Sequence, residues 1–368
     1  MKVLLLFVLH LTLAASFPGR RPAEVVPDEF LIRLDENLIT TEEEESHIIA
    51  ELEERFNLEV LRSMNIGPLK ILHVNVDEAN SRLIPDVAGV KYIEVNSIGS
   101  AADCTEFPSP GTWGLDRIGQ RERLPYTNPI SGDAMYAEGV DTGEGGVAYV
   151  MDSGVAIENP EFGGRASTGF NRWFGPGDGL GHGTHIAGTI GGESHGIAKQ
   201  VQLISVKVLN RWGFGTLDQV VGGLEYVLAD HQARQGTSPN MPKSVINMSL
   251  SYALSTLLDE TIEECVRQGI VVAVAADNND EDACYGSPSR APFAITVGAS
   301  DVNDNSATFS NYGPCVDIYA PGVEIRSTMP GNGTEVKSGT SMSTPHVVGV
   351  VALYQSRFVS APSPAKVQ

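Results

Sequence analysis

The sequence predicts two packed units, a small α+β unit followed by a larger α/β unit on a mostly parallel sheet, and three observations carry that expectation. A chain of 368 residues exceeds one ordinary small domain, and its 42% apolar content is ample for folded cores. Before residue 100, strand-like and helical patterns mix over short spans. After residue 104, glycine and small residues rise, and near-continuous apolar runs (147–151, 201–208, 243–248, 270–275 and 294–297) recur between helical patterns. Such runs suit strands buried on both faces of a parallel sheet, with crossover helices over 217–229 and 257–268.

The order of elements begins with an export signal. Met1-Lys2 precedes the apolar run Val3 to Leu13 and the small residues Ala14-Ala15-Ser16, the pattern of a cleavable signal peptide over 1–16. The run is too short to span a bilayer, and no later segment is long and apolar enough, so a soluble, secreted protein is expected. Pro18 to Pro22 reads as an exposed link. Glu29 to Leu34 reads as a strand, and Thr40 to Glu44 as a helix cap with acids in the first turn. Ile48, Ile49, Leu52 and Phe56 then continue at helical spacing. Leu69 to Val76 and Val90 to Val95 read as further strands around a short helical stretch at 79–86.

Charge narrows the partners. The formal charge is −21, and no Lys/Arg cluster appears, which argues against nucleic acid or an anionic membrane. Over residues 17–100, 17 acidic residues face 8 basic ones; the Glu42 to Glu45 run reads as a solvated face. The four cysteines suit an oxidising compartment, with three pairings open. Cys284 and Cys315 lie in loop-like stretches, Cys265 reads as a buried thiol on a helix, and Cys104 has no evident mate.

Three short segments carry chemistry. Asp152 follows the strand Val147 to Met151 and precedes Ser153-Gly154, at the strand end where open α/β sheets place their sites. His182 lies in Gly181-His182-Gly183-Thr184-His185, ahead of a small-residue helix. The spacing of His182 and His185 evokes a metal pair, but zinc peptidases need Glu after the first His, and Gly183 stands there; His185 reads as structural. Ser341 lies in Ser338-Gly339-Thr340-Ser341-Met342-Ser343-Thr344-Pro345-His346, where a glycine-led turn enters a helix whose unpaired N–H groups favour an oxyanion. Singly, Asp152 reads as a turn or cap residue and Ser341 as an N-cap. In the order Asp, His, Ser they match one known arrangement of the catalytic triad.

These segments, with Trp113-Gly114-Leu115-Asp116-Arg117-Ile118 and Phe309-Ser310-Asn311-Tyr312-Gly313, resemble the subtilases, and among them the proteinase K-like branch. The similarity runs from about Trp113 almost to the end. It implies a subtilisin-like three-layer fold over 101–368 and a serine endopeptidase acting on polypeptides through an acyl-enzyme. By the resemblance Ser341 is the nucleophile, His182 the base and then acid, and Asp152 the orienter of the imidazole. Residues 17–100 resemble the family's inhibitory propeptide, cut away between Ile98 and Cys104, near Ser100. Asn278 would donate to the oxyanion, a contact worth about 3 to 4 kcal/mol. Trp212, Gly213 and Phe214 would form one substrate edge, and Ser249, Leu250 and Ser251 the other. The resemblance also implies calcium held by the carbonyls of Pro292 and Ala294 and by Asp317, no organic cofactor, a monomer, and a Cys284–Cys315 disulfide. Asn332-Gly333-Thr334 is a glycosylation sequon, and Asn247-Met248-Ser249 one expected to be buried.

The chain departs from the family at three places. Asp277 stands where a glycine precedes the oxyanion asparagine, and a carboxylate there would oppose an oxyanion; Ser251 and Tyr252 replace glycines along the substrate pocket and should alter or narrow it; and the chain stops sooner after Ser341 than relatives do. An inactive secreted binding protein of the same fold is the competing expectation, and the intact Asp152, His182 and Ser341 count against it. His73, in a strand of the prosegment, reads as a packed residue before a pH trigger.

Overall fold

The computed structural model describes residues 24–102, 113–124, 142–172, 175–237 and 242–367; the expected signal peptide over 1–16 and Cys104 lie outside them. The first unit contains β1 (Val25–Leu34), α1 (Glu42–Phe56), β2 (Glu59–Ile66), β3 (Leu69–Asn75), the short α2 (Glu78–Ser81) and β4 (Val90–Ala101). The start of α1 is fixed as its sequence suggests. Glu44 N–H donates to the Thr41 hydroxyl at 3.1 Å, and the Glu44 carboxylate accepts from Thr41 N–H at 3.0 Å, a reciprocal cap. These bonds and those from Thr40 hold the Glu44 carboxyl down to about 2. Ile48, Leu52 and Phe56 pack with Ile32, Leu34, Leu72 and Val74 into the unit's own core.

The second unit contains α3 (Trp113–Ile118), β5 (Gly146–Asp152), β6 (Ala166–Asn171), α4 (His182–Gly191), β7 (Gln202–Lys207), β8 (Phe214–Thr216), α5 (Leu217–Thr237), β9 (Lys243–Met248), β10 (Leu250–Ser251) and α6 (Thr256–Arg267). There follow β11 (Val271–Ala275), β12 (Ile295–Ser300), β13 (Ile318–Pro321), the hairpin β14 (Ile325–Met329) and β15 (Gly333–Lys337), α7 (Thr340–Ser356) and α8 (Pro364–Val367). Seven parallel strands form its sheet in the order β13-β12-β11-β9-β5-β7-β6. β5, β9 and β11 are central, and β5 and β11 are buried at every residue, which is why their sequences are apolar without alternation. One face packs on α5 and α6, the other on α4 and α7.

The two units share a core. Leu31, Met64, Ile66, Leu69 and Ile71 of the first sheet join the cluster formed by α5, α6 and the second sheet. At the rim Arg62 pairs with Glu225 at 2.5 Å, and Tyr92 donates to Glu260 at 2.9 Å. Glu94 accepts from the Ser255 hydroxyl at 2.8 Å and from Thr256 and Leu257 N–H at 3.0 and 3.2 Å. A carboxylate of β4 thus sits on the positive, donor-rich start of α6.

The strand expected over 90–95 runs on to Ala101. Its tail pairs antiparallel with β8 through Ile98, Gly99 and Ser100, and with β10 through Ser100 and Ala101. Its partners come from the larger unit, so local alternation could not announce it. β2, whose buried residues gather at its end, likewise gives no strand pattern in sequence.

Candidate active site

Asp152 ends β5 fully buried. Its carboxylate accepts from Ser153 N–H at 2.6 Å and from His182 Nδ1, which donates at 2.8 and 2.9 Å to its two oxygens. With the proton on Nδ1, the neutral ring keeps Nε2 as its basic nitrogen. His182 opens α4, and the next residue must be small: a Cβ on Gly183 would lie 2.1 Å from the Gly154 carbonyl oxygen. Asp178, not singled out by sequence reasoning, builds this corner. It accepts from Ser153 Oγ at 2.8 Å, Gly181 N–H at 2.8 Å, and Thr184 N–H and Oγ1 at 2.8 and 2.7 Å. The clue was an acid four residues ahead of the histidine at a helix start.

Ser341 lies in the first turn of α7, fully buried. Its hydroxyl donates to the carbonyl of Ala102, the residue following β4, and more weakly to Ser249 O at 3.3 Å. Asn278 follows β11; its Oδ1 accepts from Thr340 N–H at 2.8 Å, and its buried Nδ2 has no partner among the described residues. An unpaired buried amide donor beside the first turn of the serine's helix is suited to charge appearing on a substrate oxygen.

Asp277 has φ of 80°, a backbone conformation that explains a glycine preference and that Asp tolerates better than most residues. Its carboxylate accepts from Ser251 Oγ at 2.6 Å, Asn278 N–H at 2.9 Å and Asn279 Nδ2 at 3.2 Å. Three donors therefore take up the charge that raised concern from sequence.

The two expected substrate edges flank the tail of β4. Ala101 N–H donates to Gly213 O at 2.9 Å on one side, and Ala102 N–H to Ser249 O at 3.4 Å on the other. Phe214 pairs with Ser100, which also pairs with Ser251; Leu250 pairs with Ala101. Trp212 is largely exposed with the Arg211 guanidinium 4.2 Å from its ring centre. Tyr252, named in sequence only as a departure, lies directly against this strand: its hydroxyl donates to Gly215 O at 2.9 Å.

Elsewhere, Nε2 of His185 donates to Ile325 O at 3.1 Å and Glu335 O at 3.2 Å, and burial pushes its pKa down to about 3. This is a packed residue tying α4 to the β14–β15 hairpin. His73 contacts Glu29 at 2.9 Å and Asp218 of the larger unit at 3.7 Å. Cys284 and Cys315 are joined in a disulfide, and Cys265 is a buried thiol whose burial raises its pKa to about 12. Asn332 is exposed between β14 and β15, whereas Asn247 is buried.

Pro292, Ala294 and Asp317 line one cavity of about 650 Å³, which none of Asp152, His182, Ser341 and Asn278 borders. Asp317 accepts from Thr296 N–H at 2.8 Å through one carboxylate oxygen. The oxygens these residues carry, one carboxylate and two main-chain carbonyls, are of the hard type that suits calcium. Among the described residues no cluster of three or more His, Cys, Asp or Glu is placed to hold a metal, and no helix is long and apolar enough to cross a membrane.

Residues 143–368 match the Subtilase family. The chain is 36% identical over 338 residues to the subtilisin-like serine protease Pen ch 13 of Penicillium rubens, covering 89% of this chain and 82% of that protein. It is 44% identical over 291 residues to an extracellular serine proteinase of a Thermus species, covering 77% and 66%. A crystal structure of a cold-adapted subtilisin-like serine proteinase superposes with a TM-score of 0.63 at 40% identity, over 70% of this chain and 89% of that one. The chain spans 56% of the length of a subtilase-type proteinase of Schizosaccharomyces pombe and 86% of that of a subtilisin-like protease of Trichophyton equinum, two further relatives.

Proposed function

The chain belongs to the subtilase family and is a serine endopeptidase, and on that premise we propose that it is a secreted zymogen that cuts itself between Ala102 and Asp103. One observation carries the reading: the Ser341 hydroxyl against the Ala102 carbonyl, at the end of a strand held between two edges of the larger unit as an extended substrate would be. The bond lies two residues beyond the position near Ser100 expected from sequence.

In this reading Ser341 Oγ attacks the Ala102 carbonyl carbon while His182 Nε2 takes its proton. Asp152 holds the ring and stabilises the imidazolium. The tetrahedral oxyanion is met by Asn278 Nδ2 and by N–H groups of the first turn of α7. Collapse breaks the Ala102–Asp103 bond, with His182 returning the proton to the leaving amine of Asp103. Water, deprotonated by the same imidazole, then releases Ala102 as a carboxylate and restores Ser341. Residues 17–102, having served as the first substrate, stay as an inhibitor through the shared core and the Glu94 cap on α6. External polypeptides follow the same route once that segment leaves. The reading is supported by the 16-residue signal pattern and by the Thermus relative's description as extracellular. Calcium at Pro292, Ala294 and Asp317 would stabilise the fold and take no chemical step.

The test is expression through a secretory route of the native chain beside Ser341→Ala, with intact-mass analysis of both products. Cutting at Ala102–Asp103 in the native chain alone supports the reading. Two folded, secreted and uncut products would overturn it in favour of an inactive binding protein.

A further inference from the structure

Tyr252 fills space that an extended substrate would need. It is 4% exposed and held at both ends. Its backbone exchanges hydrogen bonds with Ser287, at 2.8 and 3.2 Å, and its hydroxyl donates to Gly215 O on β8 at 2.9 Å. The ring thus runs from the end of β10 across to β8, beneath the strand pinned between them. The residue above it is Gly99, paired with Gly215. A Cβ built on Gly99 would lie 2.3, 2.4 and 2.5 Å from three ring carbons, well inside van der Waals contact. Gly99 has no positive φ, so what the position requires is room and not a special backbone conformation. The ring cannot easily swing aside, because it has only two torsions and its hydroxyl would lose a buried acceptor.

We infer that Tyr252 makes this protease select glycine at the fourth residue before the scissile bond, in external polypeptides as in its own chain. The inference rests on the protease reading above and on Ala102 as the residue before the cut. Tyr252 and Gly215 both belong to the larger unit, so the bridge outlasts departure of the prosegment. Any substrate entering between β8 and β10 in the same register meets the same ring. Pairing of its main chain with the two edges supplies affinity, and the ring supplies the discrimination.

The experiment uses the self-processed enzyme and quenched fluorescent peptides spanning Ile98 to Cys104, with serine for the cysteine and Gly, Ala or Phe at the Gly99 position. The Gly peptide is expected to exceed the Ala peptide in kcat/KM by about tenfold to a hundredfold, the range of a forced overpacking, and the Phe peptide by more. Tyr252→Phe should keep the selectivity, since it keeps the ring, and Tyr252→Gly should reduce it to within a few fold. Equal rates on all three peptides by the native enzyme would overturn this inference and leave the protease reading standing. Failure to cut any peptide once the severed segment has been separated from the enzyme would overturn this inference and, with it, the reading that external polypeptides are substrates.

Discussion

The Ser341 hydroxyl donates to the main-chain carbonyl of Ala102, although 239 residues separate them along the chain. The mature protein is therefore expected to begin at Asp103, which N-terminal sequencing reads directly. Asp152→Asn should keep the geometry but present the wrong imidazole tautomer, lowering kcat by about 10⁴ and leaving the precursor uncut over hours. A mature form starting elsewhere would contradict the assignment of the scissile bond.

Asn278→Leu removes the unpaired amide donor. The expected result is a loss of about 10² to 10³ in kcat with KM little changed, because the donor acts where charge develops and not on the bound ground state. A change confined to KM would instead assign Asn278 to substrate holding.

Glu94, within the proposed prosegment, accepts three hydrogen bonds at the start of α6. Glu94→Ala, made in the full chain, should weaken the cut but still bound prosegment by about 2 to 5 kcal/mol, thirtyfold or more in dissociation constant. The measurement is the delay between appearance of the cut chain and activity on an added peptide, which should shorten. An unchanged delay would place the binding energy in the apolar contacts alone.

Acid should destabilise the fold through two histidines. Burial holds His185 down to about 3 and His346 to about 4, from ordinary values near 6.5. The unfolded chain therefore takes up protons first as the pH falls. Stability present above about 6.5 is lost progressively toward 4, by up to about 1.4 kcal/mol per pH unit for each residue. Melting temperatures of Ser341→Ala between pH 7 and 4 should show this slope, and His185→Gln, which keeps a donor to Ile325 O and Glu335 O, should flatten it.

Calcium removal should lower the melting temperature of the same variant, and added calcium but not zinc should restore it. The shift corresponds to about 2.7 kcal/mol when the ion stands at a hundredfold excess over its dissociation constant. Asp317→Asn should abolish most of the response; a full response in that variant would move the ion elsewhere.

Much of this was legible in sequence because it is local. Asp152, His182 and Ser341 each stand at the end or start of an element whose apolar pattern spans only a few residues, and the capping box of α1 is complete within Thr41 to Glu44. What stayed hidden depends on distant partners. The tail of β4 is a strand only because β8 and β10 flank it, Asp178 matters through a corner it folds around itself, and the meaning of Tyr252 arises from a glycine 153 positions earlier. Asp277 drew concern as an added charge; its three donors come from one neighbouring strand and two adjacent residues, which no one-dimensional pattern displays.

On the proposed reading, the strand that closes the gap between β8 and β10 would also give activation two different kinetic orders. Scission of Ala102–Asp103 within one molecule would be first order and indifferent to protein concentration. The severed segment would then stay in a bimolecular equilibrium with the cleft it has just left. Crowded in a secretory vesicle, the cut protein would remain silent; diluted outside, it would wake, so that the volume into which it is released acts as the switch.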